Sequence, residues 1–410
     1  MFDAIIIGGG AAGIFGALAV KENDPHAIVV VLEKTAQLLS KVRISGGGRC
    51  NVTHACFDPK ELVKNYPRGF KELIGPFTRF QPRDTVQWFS DHGVELKTEA
   101  DGRMFPVTDD SETIIECLLS FAKKLGVDIR TQQKIRSIEK NDDQFVITLE
   151  TEEKLLCKNL LLTSGSSPQG HAYAKAFGHT IQPLVPSLFT FNVPESPFKD
   201  LQGSSVEYVT IDLLESSFSQ SGPLLFTHWG FSGPAALKLS SWGARFLNER
   251  NYKTKLRIDM LPRISAEQFI ADLIKLRKES SSQSVGNNYP EGITKNLWKK
   301  LLEISQIDST KKMSEISNDS IKGLCNTTKA GIYLIDGKTT YKEEFVTCGG
   351  VTRSEVDFKT MESKLCPGLF FAGEILDVDA VTGGFNFQNA WTTSWIVAQT
   401  IGKRASMNTL

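Results

Sequence analysis

The stretch FDAIIIGGGAAG, residues 2–13, fixes how this chain has to begin. A β-branched apolar run that meets glycines at once reads as a buried strand ending in a tight turn. The following AAGIFGALAVKE has helical, alanine-rich composition, so the glycines join a strand to a helix. They are spaced G-x-G-x-x-G at Gly8, Gly10 and Gly13. Gly8 permits the turn, Gly10 lets backbone approach a pyrophosphate, and Gly13 lets helix and strand pack closely. Ala11 and Ala12 open the helix, where free N–H groups and the positive dipole end favour phosphate. A second strand, AIVVVLEK, ends on Glu33 and Lys34, with Glu33 placed 20 residues after Gly13. A carboxylate there accepts hydrogen bonds from both ribose hydroxyls and repels a 2′-phosphate. The loop therefore predicts a dinucleotide, and not NADP at this cradle.

Composition removes several other classes. Hydrophobic residues at 40% and charged residues at 23% fit a soluble globular protein. The 47 basic and 47 acidic side chains cancel, so no general field draws the chain to nucleic acid or to an anionic membrane. The seven cysteines stand at 50, 56, 117, 157, 325, 348 and 366, with no CxxC pair. That argues against zinc and for a reducing compartment. The N-terminus begins on a strand pattern without a basic leader, and no apolar run reaches the roughly 18 residues of a membrane span. The expectation is a cytoplasmic protein with no metal, no nucleic acid and no membrane partner; oligomeric state stays open.

A second glycine triplet sits in KVRISGGGRCNVTH. Gly46, Gly47 and Gly48 allow positive φ and a bare backbone against a flat ligand. Arg49 brings a fixed fork of donors, and Asn51 both a donor and an acceptor. Such mixed groups suit the hydrogen-bonding edge of a flat heterocyclic ring. Lys41 and Arg43 precede the glycines and can face phosphate. Cys50 reads as a small buried packing residue rather than as a reactive thiol. Near the far end, CPGLFFAGEILDVDAVTGGFNFQNAW holds an apolar strand, the acid Glu374, and Gly383 and Gly384 opening a helix. Mid-chain, NLLLTSGSS is a third apolar strand with a turn at Ser164 and Gly165.

This arrangement resembles the FAD-dependent oxidoreductases of the glutathione-reductase type. Three long motifs in order narrow the likeness: KVRISGGGRCNVTH, LLFTHWGFSGPAALKLS and TMESKLCPGLFFAGEILDVDAVTGGFNFQNAW resemble the BaiN-like (YhiN-like) bacterial flavoprotein family over nearly the whole chain. Family members carry names such as bile-acid enone reductase and aminoacetone oxidase. The resemblance implies an α/β fold, a Rossmann-type FAD-binding domain interrupted by a β-barrel-like domain and a small helical domain. It adds Ser45, Ile135, Gly373, Glu374, Asp377, Phe385, Asn386 and Asn389 to the expected cofactor contacts. Phe385 stands where the family usually has Tyr, Ala380 where it has Gly, and the last helix reads TTSWIVAQ in place of small glycine-containing pairs. These departures bear on substrate more than on FAD.

The expected division is residues 1–188 and 346–410 for the FAD domain, 189–263 and 324–345 for the β-rich insert, and 264–323 for the helical part. SSVEYVTIDLL alternates as a strand, Pro234 opens a helix, and SAEQFIADLIKLRKES carries a capping box at Ser265 and Gln268. The insert is expected to roof the FAD site. The predicted activity is hydride transfer through flavin N5. NAD(P)H is the transient donor, and the substrate is a small organic molecule with an activated double bond. An amine oxidase that makes hydrogen peroxide is the enzymatic alternative, and a non-catalytic flavin-holding RNA- or protein-binding module the other. His228, in FTHWGFSGP, and Arg49 are the candidate catalytic residues.

Overall fold

The computed structural model describes residues 1–339 and 346–407, with side chains to 402. The strand expected across 340–345 lies outside the described residues. The chain forms two compact units, Met1–Val185 with Val346–Leu410, and Pro186–Phe345.

In the first unit the opening strand β1 (Phe2–Ile7) leads through the glycines into α1 (Ala11–Asn23), then β2 (Val29–Leu32) and α2 (Ser40–Gly48). Five parallel strands make the centre of a nine-stranded sheet: Leu369–Phe371, Lys154–Leu162, β1, β2 and Asp128–Arg130, side by side. In chain order these are strands 3-2-1-4-5 read from the other edge, the doubly wound arrangement. The direction of winding reverses between β1 and Lys154–Leu162, where Ile5 sits opposite Leu160 and Ile7 opposite Leu162. Strands buried on both faces carry no alternation, so Ala4–Ile7 and Val29–Leu32 read as continuous apolar runs and are buried throughout. The last helix, Phe385–Met407, packs on α1. Gly16 permits the approach: a Cβ there would stand 3.4 Å from that of Ser394. The Ser394 hydroxyl in turn donates to the Ala12 carbonyl at 2.7 Å.

The second unit has a seven-stranded sheet whose long strands, Ser205–Leu213, Ser219–Phe226, Lys253–Asp259 and Gly331–Asp336, pair antiparallel. Helices Ala266–Glu279, Lys295–Ile304 and Asn318–Ala330 share one hydrophobic core with that sheet, in which Trp298, Leu301 and Leu324 meet Leu256 and Ile258. Ser265 caps its helix by accepting from the Gln268 N–H at 3.1 Å. The Gln268 side chain turns forward to Asp272 at 2.7 Å, so only half of the expected capping box forms. Among the described residues no helix is long and apolar enough to cross a membrane.

Candidate functional site

The first unit gathers its glycine turns and candidate polar residues where the sheet reverses its winding, the position at which doubly wound sheets bind ligands. Gly8 leaves β1 with φ 111°. A Cβ on it would lie 2.7 Å from the Thr163 carbonyl oxygen, so the neighbouring strand comes too close for any side chain. A Cβ on Gly13 would lie 1.9 Å from the Gly8 carbonyl oxygen. At Gly10, which caps α1 without a side-chain hydrogen bond, a Cβ meets nothing within 4 Å. The first N–H groups of α1, at Ala11, Ala12 and Gly13, therefore face open space beside bare backbone.

Glu33 closes the loop from the side. Its carboxylate accepts from the Gly9 N–H at 2.8 Å, and from the Thr35 N–H and hydroxyl, each at 2.8 Å. Lys34 follows it, exposed. The Leu39 N–H donates to the Gly9 carbonyl at 2.9 Å, so the chain that leads to the second triplet starts against the first. Lys41 pairs with Glu374, which also accepts from the Thr347 N–H at 3.1 Å. A Cβ on Gly165 would stand 3.6 Å from the Glu374 carboxylate, and one on Gly373 would touch the Ala12 Cβ at 3.0 Å. Gly8, Ala12, Lys41, Ser164, Gly165, Gly373 and Glu374, drawn from four distant stretches, thus share one locality.

The second triplet is not a plain loop. Ser40–Ile44 wind as a helical turn, after which Ser45 turns extended and Gly46, Gly47 and Gly48 take φ of 59°, 70° and 85°. Cys50 also lies in the left-handed region, at φ 59°. It is fully buried, and burial pushes its thiol up to about 12, which removes the thiolate a nucleophile needs. Ser45 is spent locally: its hydroxyl donates to the Val42 carbonyl and its own carbonyl accepts from the Cys50 N–H, both at 3.0 Å. Arg43 pairs with Glu112. The Arg49 guanidinium lies 4.0 Å over the Phe105 ring and donates to Glu99 at 2.7 Å, with Asp109 at 3.5 Å. Its fork engages a neighbouring hairpin of this same unit.

Asn51 ties the triplet to the last helix. With its amide set to satisfy both neighbours, it donates to the Thr53 carbonyl and accepts from the Gly384 N–H, each at 3.0 Å. A Cβ on Gly384 would lie 2.4 Å from the Thr53 carbonyl, so that approach also needs glycine. Phe385 stacks on His54 at 4.6 Å, and its carbonyl accepts from the buried Tyr66 hydroxyl at 2.5 Å. Asn386 clasps its own turn through the Ala380 N–H and carbonyl, at 2.9 and 3.1 Å. Asn389 is 2% exposed, and among the described residues its side-chain oxygen has no hydrogen-bond partner; the buried Ser164 hydroxyl has none there either. Asp377 is buried, 3.9 Å from Arg353. Ile135 offers its carbonyl to Tyr173 at 3.0 Å. Of the candidate residues His228 alone belongs to the second unit. It stands exposed between two strands, edge-on to Trp229 at 5.0 Å.

The model of the HI0933-like protein Rossmann domain matches residues 2–400. The chain belongs to that family. Among curated proteins, a ribosomal RNA dihydrouridine synthase of Escherichia coli K12 is 29% identical, with 97% of each chain covered. A 3-dehydro-bile acid delta(4,6)-reductase of Clostridium scindens is 28% identical, over 97% of this chain and 98% of that one. A solved 3-ketosteroid delta1-dehydrogenase from Sterolibacterium denitrificans shares the fold, with a TM-score of 0.52 at 10% identity, covering 98% of this chain and 99% of that one. A 3-ketosteroid-delta4-(5alpha)-dehydrogenase from Rhodococcus jostii gives 0.50 at 13%, covering 97% and 96%.

The protein is therefore an FAD-dependent oxidoreductase with a Rossmann-type FAD-binding domain. The residues present fit the cofactor. The glycine cradle leaves its N–H groups facing outward, and Ser164 and Asn389 hold buried polar atoms without partners among the described residues. Sequence reasoning passed over Thr163, whose hydroxyl donates to the Ile7 and Gly8 carbonyls at 2.9 and 3.0 Å and fixes the turn. Its signal was its place at the end of LLLTSG. It also passed over the buried Arg68–Asp379 ion pair, whose partners lie 311 residues apart.

Proposed function

We propose that the enzyme adds two hydrogens across a carbon–carbon double bond conjugated to a carbonyl, with NADH or NADPH as the reductant. The observation that carries this reading is the shared chemistry of the two relatives above, each matched end to end. A dihydrouridine is a uridine with two more hydrogens on a double bond conjugated to a carbonyl. The Δ4,6-reductase is named for double bonds too. Neither relative is named an oxidase, so the amine-oxidase alternative gains nothing from them.

When bound, FAD supplies the hydride at its N5. The chain's own part is placement. Gly8, Gly10, Ala11, Ala12 and Gly13 present N–H groups to the pyrophosphate, and Glu33 turns to a ribose. Lys41 and Glu374 flank the same locality, and Ser164 and Asn389 give their unpartnered atoms to the cofactor. Gly46 and Gly47 expose backbone, Asn51 locks them to Gly384, and the helix from Phe385 offers its positive end. Arg49 acts as a positioning residue that anchors the triplet. His228 is the candidate donor of the proton that completes the reduction.

The preferred substrate is a small enone. A uracil in ribosomal RNA is the second reading, favoured by the name of the Escherichia coli relative. Anaerobic mixing of the yellow protein with NADH or NADPH should bleach the visible flavin band. Adding a 3-keto-4-ene steroid, or separately a uracil-containing ribosomal RNA fragment, should restore it. Failure of both nucleotides to bleach the flavin would sink the reductase reading.

A further inference from the structure

Away from the glycine cradle the first unit holds an open cavity of about 550 Å³ between the helix Phe70–Arg79 and the segment 353–364. Its wall includes four basic side chains, Arg79, Arg353, Lys359 and Lys364, against two acidic ones, Glu72 and Asp357. That local excess of two positive charges stands out in a chain whose net charge is zero. Among the described residues, Arg79, Lys359 and Lys364 pair with no carboxylate. Arg79 donates to the Lys359 carbonyl at 2.5 Å and Lys364 to the Ser354 carbonyl at 2.8 Å, both neutral acceptors. Arg353 has its two acids, Glu72 and Asp377, only at 3.7 and 3.9 Å, beyond hydrogen-bond reach. Phe358 is the aromatic residue of the wall.

We infer that this cavity receives the adenosine end of NADPH, its 2′-phosphate among the four cations and its adenine against Phe358. The volume suits one nucleotide rather than a strand of nucleic acid. Arginine and lysine are the groups that accept a 2′-phosphate, whereas Glu33 repels it at the first cradle. The location agrees: Val351 bridges to Leu376, and Arg353 reaches toward Asp377, so the cavity wall continues into the segment that carries Glu374. The choice of NADPH rests on the reductase reading; the affinity of the cavity for a nucleotide phosphate does not.

Two measurements on the FAD-loaded protein test this. Lys359→Glu reverses a charge whose ammonium has no partner among the described residues, so it should fold and stay yellow. Its KM for NADPH should rise at least tenfold with kcat unchanged, and its KM for NADH should rise much less. By calorimetry, adenosine 2′,5′-bisphosphate should bind the parent and weaken at least tenfold in Lys359→Glu and in Arg353→Gln. If the bisphosphate binds parent and both variants alike, or binds none, the cavity is not a nucleotide site, whatever the enzyme reduces. If it binds with the expected dependence while neither nucleotide bleaches the flavin, the site stands and the reductase reading falls.

Discussion

A Cβ at Gly10 meets no atom within 4 Å, whereas one at Gly13 would lie 1.9 Å from the Gly8 carbonyl. The two glycines therefore fail in different ways. Gly10→Val should purify colourless yet keep the melting temperature of the FAD-stripped parent, because only the cofactor's position is filled. Gly13→Ala should lower the melting temperature, because helix and strand have to separate. A yellow Gly10→Val would remove the phosphate cradle from this loop. Two buried histidines give a second residue-scale test. Burial holds His171 below the ordinary histidine range, and it does the same to His179 against the opposing pull of Glu355. The unfolded chain binds these protons at higher pH than the folded one. Their contribution is thus complete above about pH 6.5 and is lost as pH falls from there toward the folded-state values. Melting curves should shift down between pH 7.5 and 5.5, and His171→Gln with His179→Gln should flatten that shift. At this scale the glycines were legible because their work is done within a few residues. Arg49 was not, because the acids that engage it lie 50 and 60 residues along the chain.

Among the elements, the last helix is held by a buried polar network to Val52 and Thr53, just after the second glycine triplet, and to Phe80 and Thr85. The Gln388 side-chain oxygen accepts from the Thr53 and Thr85 hydroxyls at 2.6 and 2.9 Å, and its amide donates to Thr392 at 3.0 Å. The Thr392 hydroxyl passes on to the Phe80 carbonyl at 2.9 Å, and the Trp391 indole donates to the Val52 carbonyl at 3.0 Å. Gln388→Leu would strand two hydroxyls in the interior, at a cost of about 1–3 kcal/mol. The melting temperature should fall by about 2–4 °C for each of those kcal/mol, measured by calorimetry. An unchanged melting temperature would mean that the network is dispensable. The sequence pattern announced the helix and its glycine start. It was silent on Gln388, because a lone glutamine in an apolar helix carries no signal until partners 335 and 303 residues away are known.

For the whole molecule, the parallel strands and both glycine loops could be read from apolar runs and punctuation. The helical stretch 264–323 read as a body of its own because its pattern switches period. Folded, its Trp298 and Leu301 lie in one core with strand residues Leu256 and Ile258. Which distant apolar faces meet is not written in local periodicity.

The strand Leu369–Phe371 pairs with both Glu362–Ser363 and Lys154–Leu162, and the helix that starts at Phe385 covers α1. The intervening unit, by contrast, is continuous in sequence from 186 to 345. On the ribosome that unit is complete in sequence before the first one is: β1 already has β2 and Lys154–Leu162 to pair with, but the strand Leu369–Phe371 and the helix that covers α1 are not yet synthesised. Cofactor capture thus belongs to the closing moments of biosynthesis. A message truncated between codons 186 and 369 would yield a chain with its cradle intact in sequence and no pigment to show for it.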